Sequence, residues 1–222
     1  MSDAPGMKNV AIIGFGLLGA SFGLALKDVP GIRRLCCTRN PAAREWALAE
    51  HAADFASDDP AEIIPRANVT FLSLPLPVIV RYLTDYAHLW RPGSVVTDMG
   101  SVKGAILDAA ERTVVPRGVV FVGGHPMAGT EYSGHIHAFP TMFRGADVFL
   151  CPASNASEAD VETIAGPAGY GANAYIETER PIVVVTGPGP NSASRTSLNG
   201  LYTSSMRFLK LIFSIVTPDS PE

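Results

Sequence analysis

The sequence predicts an α/β protein with a doubly wound, mostly parallel β-sheet and a short irregular C-terminal tail. Short apolar runs rich in β-branched residues alternate with stretches of helical periodicity over the first 150 residues. These runs are apolar throughout, which is typical of parallel strands covered by helices on both faces. With 47% hydrophobic and 17% charged residues, the chain of 222 residues can bury a sizeable core.

The alternation predicts the elements in order. Strands are expected at 9–13, 34–37, 69–74, 94–97, 119–122 and 148–150, and helices at 16–27, 41–53, 77–89 and 101–112. We expect Asn40 to cap the second helix, with Pro41 at its first position, and Ser101 to cap the fourth. After about residue 165 the sequence is rich in Gly, Pro, Ser and Thr; it contains strand-like runs at 174–176 and 182–186, a breaker at 187–190, a loop-like stretch at 191–199 and a short apolar run at 206–216.

Composition and charge exclude several classes of function. The net charge is −4 and no basic stripe is visible, so nucleic acid is not an expected partner. Three cysteines without metal-ligand spacing predict neither a disulfide framework nor a metal site, and they suggest a reducing compartment. The N-terminus carries no signal sequence, and the apolar run at 208–216 is far shorter than the roughly 20 residues of a membrane span. We therefore predict a cytoplasmic protein that binds a small molecule.

A glycine-rich turn follows the first predicted strand. The G-x-G-x-x-G spacing is weak evidence alone, but between a strand and an apolar helix it is the fingerprint of a Rossmann-type dinucleotide-binding fold; an ordinary turn is the alternative. The first glycine permits a tight turn, the second lets a pyrophosphate approach the backbone, and the third lets helix and strand pack closely. The residues expected to bind the cofactor here are Gly14, Phe15, Gly16, Leu17, Leu18 and Gly19.

The end of the second strand indicates which dinucleotide is bound. NAD-binding members of this fold carry an acidic residue there for the ribose 2′-hydroxyl, whereas this chain has Thr38 and Arg39. A hydroxyl followed by a guanidinium suits a 2′-phosphate, so NADP is favoured over NAD; a solvated loop arginine is the alternative. At the end of the third strand, Ser73, Leu74 and Pro75 are expected beside the nicotinamide half, unless the proline only ends the strand.

Two further segments follow later strands at the edge where such a sheet places its chemistry. One is DMGSVK at 98–103, and the other is GGHPMAGTE at 123–131. His125 lies among small, turn-forming residues, which makes it a candidate general base; a structural histidine is the alternative.

These motifs resemble the prephenate/arogenate dehydrogenase family of tyrosine biosynthesis. The resemblance rests on VAIIGFGLLGASFGLALK at 10–27, SLPLPVI at 73–79, VVTDMGSVKGAI at 95–106 and FVGGHPMAGTEYSGHIHAF at 121–139. It implies oxidation of the ring hydroxyl of prephenate or arogenate by hydride transfer to NADP⁺ or NAD⁺, with loss of the ring carboxylate as CO₂. It implies that His125 contacts the ring hydroxyl and promotes its deprotonation, that Ser101 forms a hydrogen bond in the same site, and that Thr130 and Glu131 line the substrate pocket.

The tail departs from the family pattern. Family members continue into an all-helical domain that forms a homodimer and completes the pocket, but the sequence after His137 contains no histidine and no long amphipathic helix. We expect a Rossmann domain over 1–178 and an atypical tail over 179–222, so the dimer usual in the family lacks its element here. A truncated gene, a shifted reading frame and a divergent member would each explain such a tail. The alternatives to an active dehydrogenase are a catalytically impaired NADP-binding fragment and another NADP-dependent Rossmann reductase.

Overall fold

The computed structural model describes residues 7–144, 146–165 and 173–176. Its strands are β1 (Lys8–Ile13), β2 (Ile32–Cys37), β3 (Phe55–Ser57), β4 (Val69–Leu72), β5 (Val95–Asp98), β6 (Val120–Pro126), β7 (Asp147–Pro152) and β8 (Asn173–Ile176). Its α-helices are α1 (Leu17–Ala25), α2 (Pro41–Ala49), α3 (Pro60–Ile63), α4 (Leu76–Asp85), α5 (Gly104–Thr113) and α6 (Glu158–Ala165). Short 3-10 turns lie at Ile64–Arg66, Ala87–Leu89, Val115–Arg117 and His135–His137.

All eight strands form one sheet in the order β3-β2-β1-β4-β5-β6-β7-β8. Every neighbouring pair is parallel except β6 and β7, which are antiparallel. The strand order reverses at β1, which lies between β2 and β4, and helices cover both faces of the sheet. In open sheets of this kind ligands bind at such a reversal point, outside the carboxyl ends of the strands. The predicted doubly wound, mostly parallel fold is confirmed.

The core lies in two layers, one on each face of the sheet. Strand β1 shows why, because its successive side chains alternate: Val10 and Ile12 face one layer, while Ala11 and Ile13 face the other. The first layer packs against α1, α2 and α6, and the second against α3, α4 and α5. The apolar strand runs seen in the sequence are therefore buried on both sides.

Three predicted helix boundaries are wrong. The third predicted helix ends at Asp85 rather than at residue 89, and the 3-10 turn Ala87–Leu89 follows it. Ser101 is not the cap of the fourth predicted helix, because α5 begins only at Gly104 and Lys103 occupies the cap position without a side-chain capping bond. The side chain of Lys103 instead binds groups at the sheet edge, so the chain stays irregular through Ser101. The second predicted helix ends at Ala49 rather than at residue 53, because His51 adopts a left-handed conformation with φ of 56° and turns the chain towards β3.

The cap of α2 is confirmed at its other end. Asn40 Oδ1 accepts a hydrogen bond of 3.1 Å from the backbone N–H of Ala42, and Pro41 takes the first helical position. The strand-like run at 174–176 corresponds to β8. The runs predicted at 182–186, 187–190, 191–199 and 206–216 lie outside the described residues, and the division at residue 178 stays a prediction. Over the part of the chain that the structure describes, no helix has the length and apolar character needed to cross a membrane.

An ion pair ties β2 to the loop before β3. The guanidinium of Arg34, 7% exposed, lies 2.7 Å from Asp54 Oδ1, and the backbone N–H of Arg34 donates to Asp54 Oδ2 at 2.7 Å. Arg34 also donates to the backbone carbonyl of His51 at 2.6 Å. Burial acts to raise the pKa of the Asp54 carboxyl, but the bonds from Arg34 outweigh it and the pKa is lowered. The pair therefore stabilises the fold above the usual Asp pKa of about 3.9 and loses this effect as the pH falls through the lowered value.

Replacing Asp54 with alanine is expected to lower the free energy of unfolding by about 1–3 kcal/mol, because it leaves the buried Arg34 charge without its carboxylate. The loss stays below that of a fully buried pair, since the Asp54 side chain is 37% exposed. Urea unfolding at neutral pH would measure it. Asp28→Ala, at an exposed aspartate, is the matched control and should change stability by less than about 0.5 kcal/mol. Equal effects of the two substitutions would contradict the role of the pair.

Candidate active site

Backbone hydrogen bonds join the loops that follow the central strands into one continuous edge. The N–H of Gly14, after β1, donates to the carbonyl of Cys37 at the end of β2 at 2.9 Å. The N–H of Ser73, after β4, donates to Ile13 at 2.8 Å, and the N–H of Met99, after β5, donates to Leu72 at 3.1 Å. The glycine turn, the Thr38 loop and the Ser73 loop are thus neighbours.

The glycine turn has the shape of a phosphate cradle. Gly14 has a φ of 93°, and a Cβ there would collide with the carbonyl oxygen of Ser73. A Cβ at Gly19 would collide with the carbonyl oxygen of Gly14, so this position brings the helix against the strand. At Gly16, in contrast, a Cβ would meet no atom within 4 Å, which leaves open space in front of α1. Gly16 occupies the N-cap position of this nine-residue helix and has no side chain that could cap it. The first-turn N–H groups are therefore available to an anion.

The predicted cofactor residues differ in what they can offer. Phe15 is only 3% exposed and packs against Trp46, with 6.4 Å between ring centroids, so its side chain belongs to the core and only its backbone faces the turn. Leu17 and Leu18 are half-buried at the start of α1. Ser73 and Leu74 are half-buried and Pro75 is exposed, where it precedes α4.

Arg39 and Thr38 follow β2 next to the glycine turn. Arg39 is exposed. Burial raises the pKa of the Tyr82 hydroxyl, and the nearby positive charge of Arg39 acts in the opposite direction. The carbonyl of Thr38 accepts a hydrogen bond of 2.7 Å from Arg44 Nη1, and Arg44 also lies 3.3 Å from Asp58. Two guanidinium groups therefore stand near the end of β2. Arg44 was not among the residues predicted from the sequence; its place in the first turn of α2, shortly after Thr38 and Arg39, was the available signal.

A buried ion pair lies under the next strand ends. Asp98, at the end of β5, is fully buried, and its carboxylate pairs with Lys103, whose side chain is 9% exposed. Lys103 Nζ also donates to the carbonyl oxygen of Gly124 at 2.6 Å. Burial raises the pKa of the Asp98 carboxyl, while Lys103 and the backbone N–H groups of Gly100 and Gly124 act in the opposite direction. The sequence motif contained both residues, yet they were not singled out; an acid directly after an apolar strand, with lysine five residues later, was the available signal.

His125 lies near the end of β6, directly after the residue that the ion pair contacts. It is half-buried, and its ring centroid lies 6.5 Å from that of Phe149 on β7. Burial lowers the pKa of the imidazole, and the positive charge of Lys103 lowers it further, whereas Asp98 raises it. The net direction is downward, so the neutral imidazole that a general base needs predominates at neutral pH.

Ser101, Thr130 and Glu131 are all exposed in the structure. Ser101 lies in the irregular segment between β5 and α5, next to the ion pair. The hydroxyl of Thr130 accepts a hydrogen bond of 3.2 Å from the N–H of Tyr132, and this pair begins the segment that follows His125. That segment crosses to α1, where the N–H of Phe139 donates to Ser21 Oγ at 3.1 Å. Ser101 thus follows β5, and Thr130 and Glu131 follow β6, the strand that carries His125.

A family model described as prephenate dehydrogenase, nucleotide-binding domain, matches residues 23–167, which is more than half of the chain. The chain belongs to the prephenate dehydrogenase family. The prephenate dehydrogenase of Bacillus subtilis is 30% identical over 161 residues, which cover 71% of this chain and 43% of the relative. The chain therefore spans less than half the length of the Bacillus subtilis enzyme.

Solved structures of family members have the same fold. The Synechocystis arogenate dehydrogenase is 28% identical with a TM-score of 0.68, and the match covers 77% of this chain and 59% of that one. The prephenate dehydrogenase of Aquifex aeolicus, solved with hydroxyphenyl propionate and NAD⁺, is 25% identical with a TM-score of 0.68, covering 79% of this chain and 60% of that one.

The C-terminal part also matches a second family. A model described as the N-terminal part of a domain of unknown function, DUF1846, matches residues 136–214 and so overlaps the prephenate dehydrogenase match. A UPF0371 protein of Clostridium tetani is 52% identical over 80 residues, which cover 33% of this chain and 16% of the relative. A family-model match over 136–214 is not expected of a shifted reading frame, so it argues against that explanation of the tail.

Proposed function

We propose that this chain carries the dinucleotide-binding half of a prephenate or arogenate dehydrogenase and that His125 is its general base. The observation that carries the proposal is the position of His125 on the same sheet edge as the glycine turn, with its pKa lowered by burial. A base on that edge can reach a substrate that lies against the nicotinamide ring.

The residues at the turn fit a nicotinamide dinucleotide. The open space at Gly16 and the first-turn N–H groups of α1 would hold the pyrophosphate. Thr38 and Arg39 would hold a 2′-phosphate, so NADP is the proposed cofactor and NAD the second choice. Ser73, Leu74 and Pro75 would lie beside the nicotinamide. The Aquifex relative was solved with NAD⁺, and an exposed arginine does not prevent NAD from binding.

The proposed reaction assigns each side chain one step. His125 accepts the proton of the substrate ring hydroxyl, and Ser101 donates or accepts a hydrogen bond at the same oxygen. Bound NADP⁺ would accept the hydride that leaves the ring carbon bearing this hydroxyl. As the ring carboxylate leaves as CO₂, its electron pair completes the aromatic ring and the former hydroxyl oxygen recovers its proton from protonated His125. Thr130 and Glu131 would contact the remainder of the substrate from the segment after His125.

The experiment is turnover by the purified chain with prephenate and arogenate, each with NADP⁺ and NAD⁺, followed by the absorbance of the reduced cofactor. Turnover with either substrate supports the proposal and chooses between the two. Measurable NADP⁺ binding without turnover would favour the second candidate, a catalytically impaired NADP-binding fragment, which the short span of the family match favours. A location in the cytoplasm and the domain boundary at residue 178 are also proposed, whereas the homodimer usual in the family is not proposed for this chain.

The lowered pKa of His125 predicts the pH dependence. The neutral base persists to lower pH than a free imidazole would, so kcat/KM is expected to fall only below the usual histidine pKa of about 6.5. A pH profile of kcat/KM on the acidic side measures the midpoint. A midpoint clearly above 6.5 would mean that burial and the charge of Lys103 do not control this group.

A further inference from the structure

The Asp98–Lys103 ion pair binds both the backbone N–H and the backbone carbonyl of one residue, Gly124. Lys103 Nζ donates to the carbonyl oxygen of Gly124 at 2.6 Å, and the N–H of Gly124 donates to Asp98 Oδ1 at 3.2 Å. The other carboxylate oxygen, Oδ2, binds both Lys103 and the N–H of Gly100. Gly124 directly precedes His125 on β6.

The sheet explains why side chains take this role. The parallel register of β5 and β6 ends at Thr97 and Val122, so β6 runs two residues past its last partner before reaching Gly124. Beyond Thr97 the backbone of β5 no longer pairs with β6. The Asp98 carboxylate instead accepts from the Gly124 N–H, and the Lys103 ammonium donates to the Gly124 carbonyl. A Cβ at Gly124 would lie 2.7 Å from the carbonyl oxygen of Asp98, so β6 approaches the end of β5 too closely for a side chain at this position.

A buried ion pair is weak evidence for stability, because well-packed apolar residues of similar volume often replace one without loss. Here the pair joins the irregular segment that carries Ser101 to the strand that carries His125, and both of its charges are directed at the backbone beside His125. Strand β7 supports His125 on the other side, where it pairs with Phe149.

We propose that Asp98 and Lys103 are positioning residues that hold the Gly124 peptide, and through it the His125 imidazole, at the distance from the Ser101 segment that catalysis requires. The catalytic part rests on the proposed function; the placement of Gly124 does not. Misplacing a catalytic group by about 1 Å can lower the rate roughly 100-fold, so loss of the ion pair that positions His125 should have a measurable effect on kcat.

The test compares the single variant Lys103→Met with the double variant Asp98→Leu/Lys103→Met, which removes both charges. Lys27→Met, at an exposed lysine at the far end of α1, is the matched control. For the single variant we expect kcat to fall about 10–100-fold with the dissociation constant for NADP⁺ within about twofold of wild type. The double variant should regain thermal stability but not kcat, since neither methionine nor leucine can hold the Gly124 peptide. A double variant that regains both, or a single variant with normal kcat, would overturn the proposal.

A second readout needs neither substrate nor turnover. In the wild-type protein the amide proton of Gly124 should exchange slowly and show scalar coupling across its hydrogen bond to the Asp98 carboxyl carbon by NMR. Both signatures should disappear in the folded double variant, which lacks the Asp98 acceptor, and the His125 ring signals should shift or broaden there. Lys103→Met keeps that acceptor and should only speed the exchange of the Gly124 amide, whereas Lys27→Met should leave all of these signals unchanged. If the wild type shows no turnover but these signatures are present, the proposed function fails and the placement of Gly124 stands. If the signatures are absent from the wild-type protein, the proposed placement of Gly124 is wrong. This outcome can be read from the wild type alone, even when no variant folds.

Discussion

Replacing His125 with alanine is expected to lower kcat by about 100- to 10,000-fold while leaving the affinity for NADP⁺ unchanged. General base catalysis by a positioned side chain contributes a factor of this size, and alanine has no group that can accept the proton. His125 lies on β6, three strands away from β1 and its glycine turn, with β4 and β5 between them. The substitution should therefore affect chemistry rather than cofactor binding.

The measurement is steady-state kinetics with saturating NADP⁺, together with cofactor titration by fluorescence. His88→Ala is the matched control, because His88 is exposed in the 3-10 turn after α4, far from the carboxyl edge of the sheet. The control should retain wild-type kcat. A His125 variant with near-normal kcat would remove the general base from the proposal, although the fold and the cofactor site would stand.

Replacing Arg39 with alanine is expected to weaken NADP⁺ binding by about 10- to 100-fold and to leave NAD⁺ binding within about twofold. The two cofactors differ only in the 2′-phosphate, and a hydrogen bond between charged groups contributes roughly 1.5–3 kcal/mol. Arg39 is exposed at the end of β2, so its removal should leave the core intact. The ratio of the two dissociation constants isolates the phosphate contact from any general change in the turn.

Titration of each variant with both cofactors measures this ratio. Arg117→Ala, at an exposed arginine before β6, controls for loss of one positive charge elsewhere on the surface. Arg44→Ala is informative as well, because Arg44 holds the carbonyl of Thr38 and could contribute a second cation. An equal loss for NADP⁺ and NAD⁺ in the Arg39 variant would contradict its assignment to the 2′-phosphate.

Local patterns were sufficient for much of the fold and for the cofactor half of the candidate site. Asn40 and Pro41 lie side by side at the start of α2, and the glycines of the turn lie within six residues, so each motif contains its own physical reason. The doubly wound class also followed from the sequence, because burial of a strand on both faces requires apolar residues at every position along it.

Boundaries and pairings depended on residues far apart in the chain. The second predicted helix was too long because the loop before β3 is held by Arg34, which lies 20 residues before Asp54. The fourth was expected to begin at Ser101, but Lys103 instead reaches Gly124, 21 residues further along the chain. The antiparallel pairing of β7 with β6 and the short strand β3 were likewise invisible in the local pattern.

By itself, the sequence determined seven of the eight described strands, four of the six described α-helices, where the phosphate-binding turn lies and which histidine follows a strand at the reactive edge. Only the tertiary structure decided what surrounds that histidine. Periodicity and capping act between neighbouring residues and can be read from their order. The ion pair of Asp98 and Lys103 acts on Gly124 only because β5 ends where β6 continues, and this depends on how two strands meet in the folded sheet.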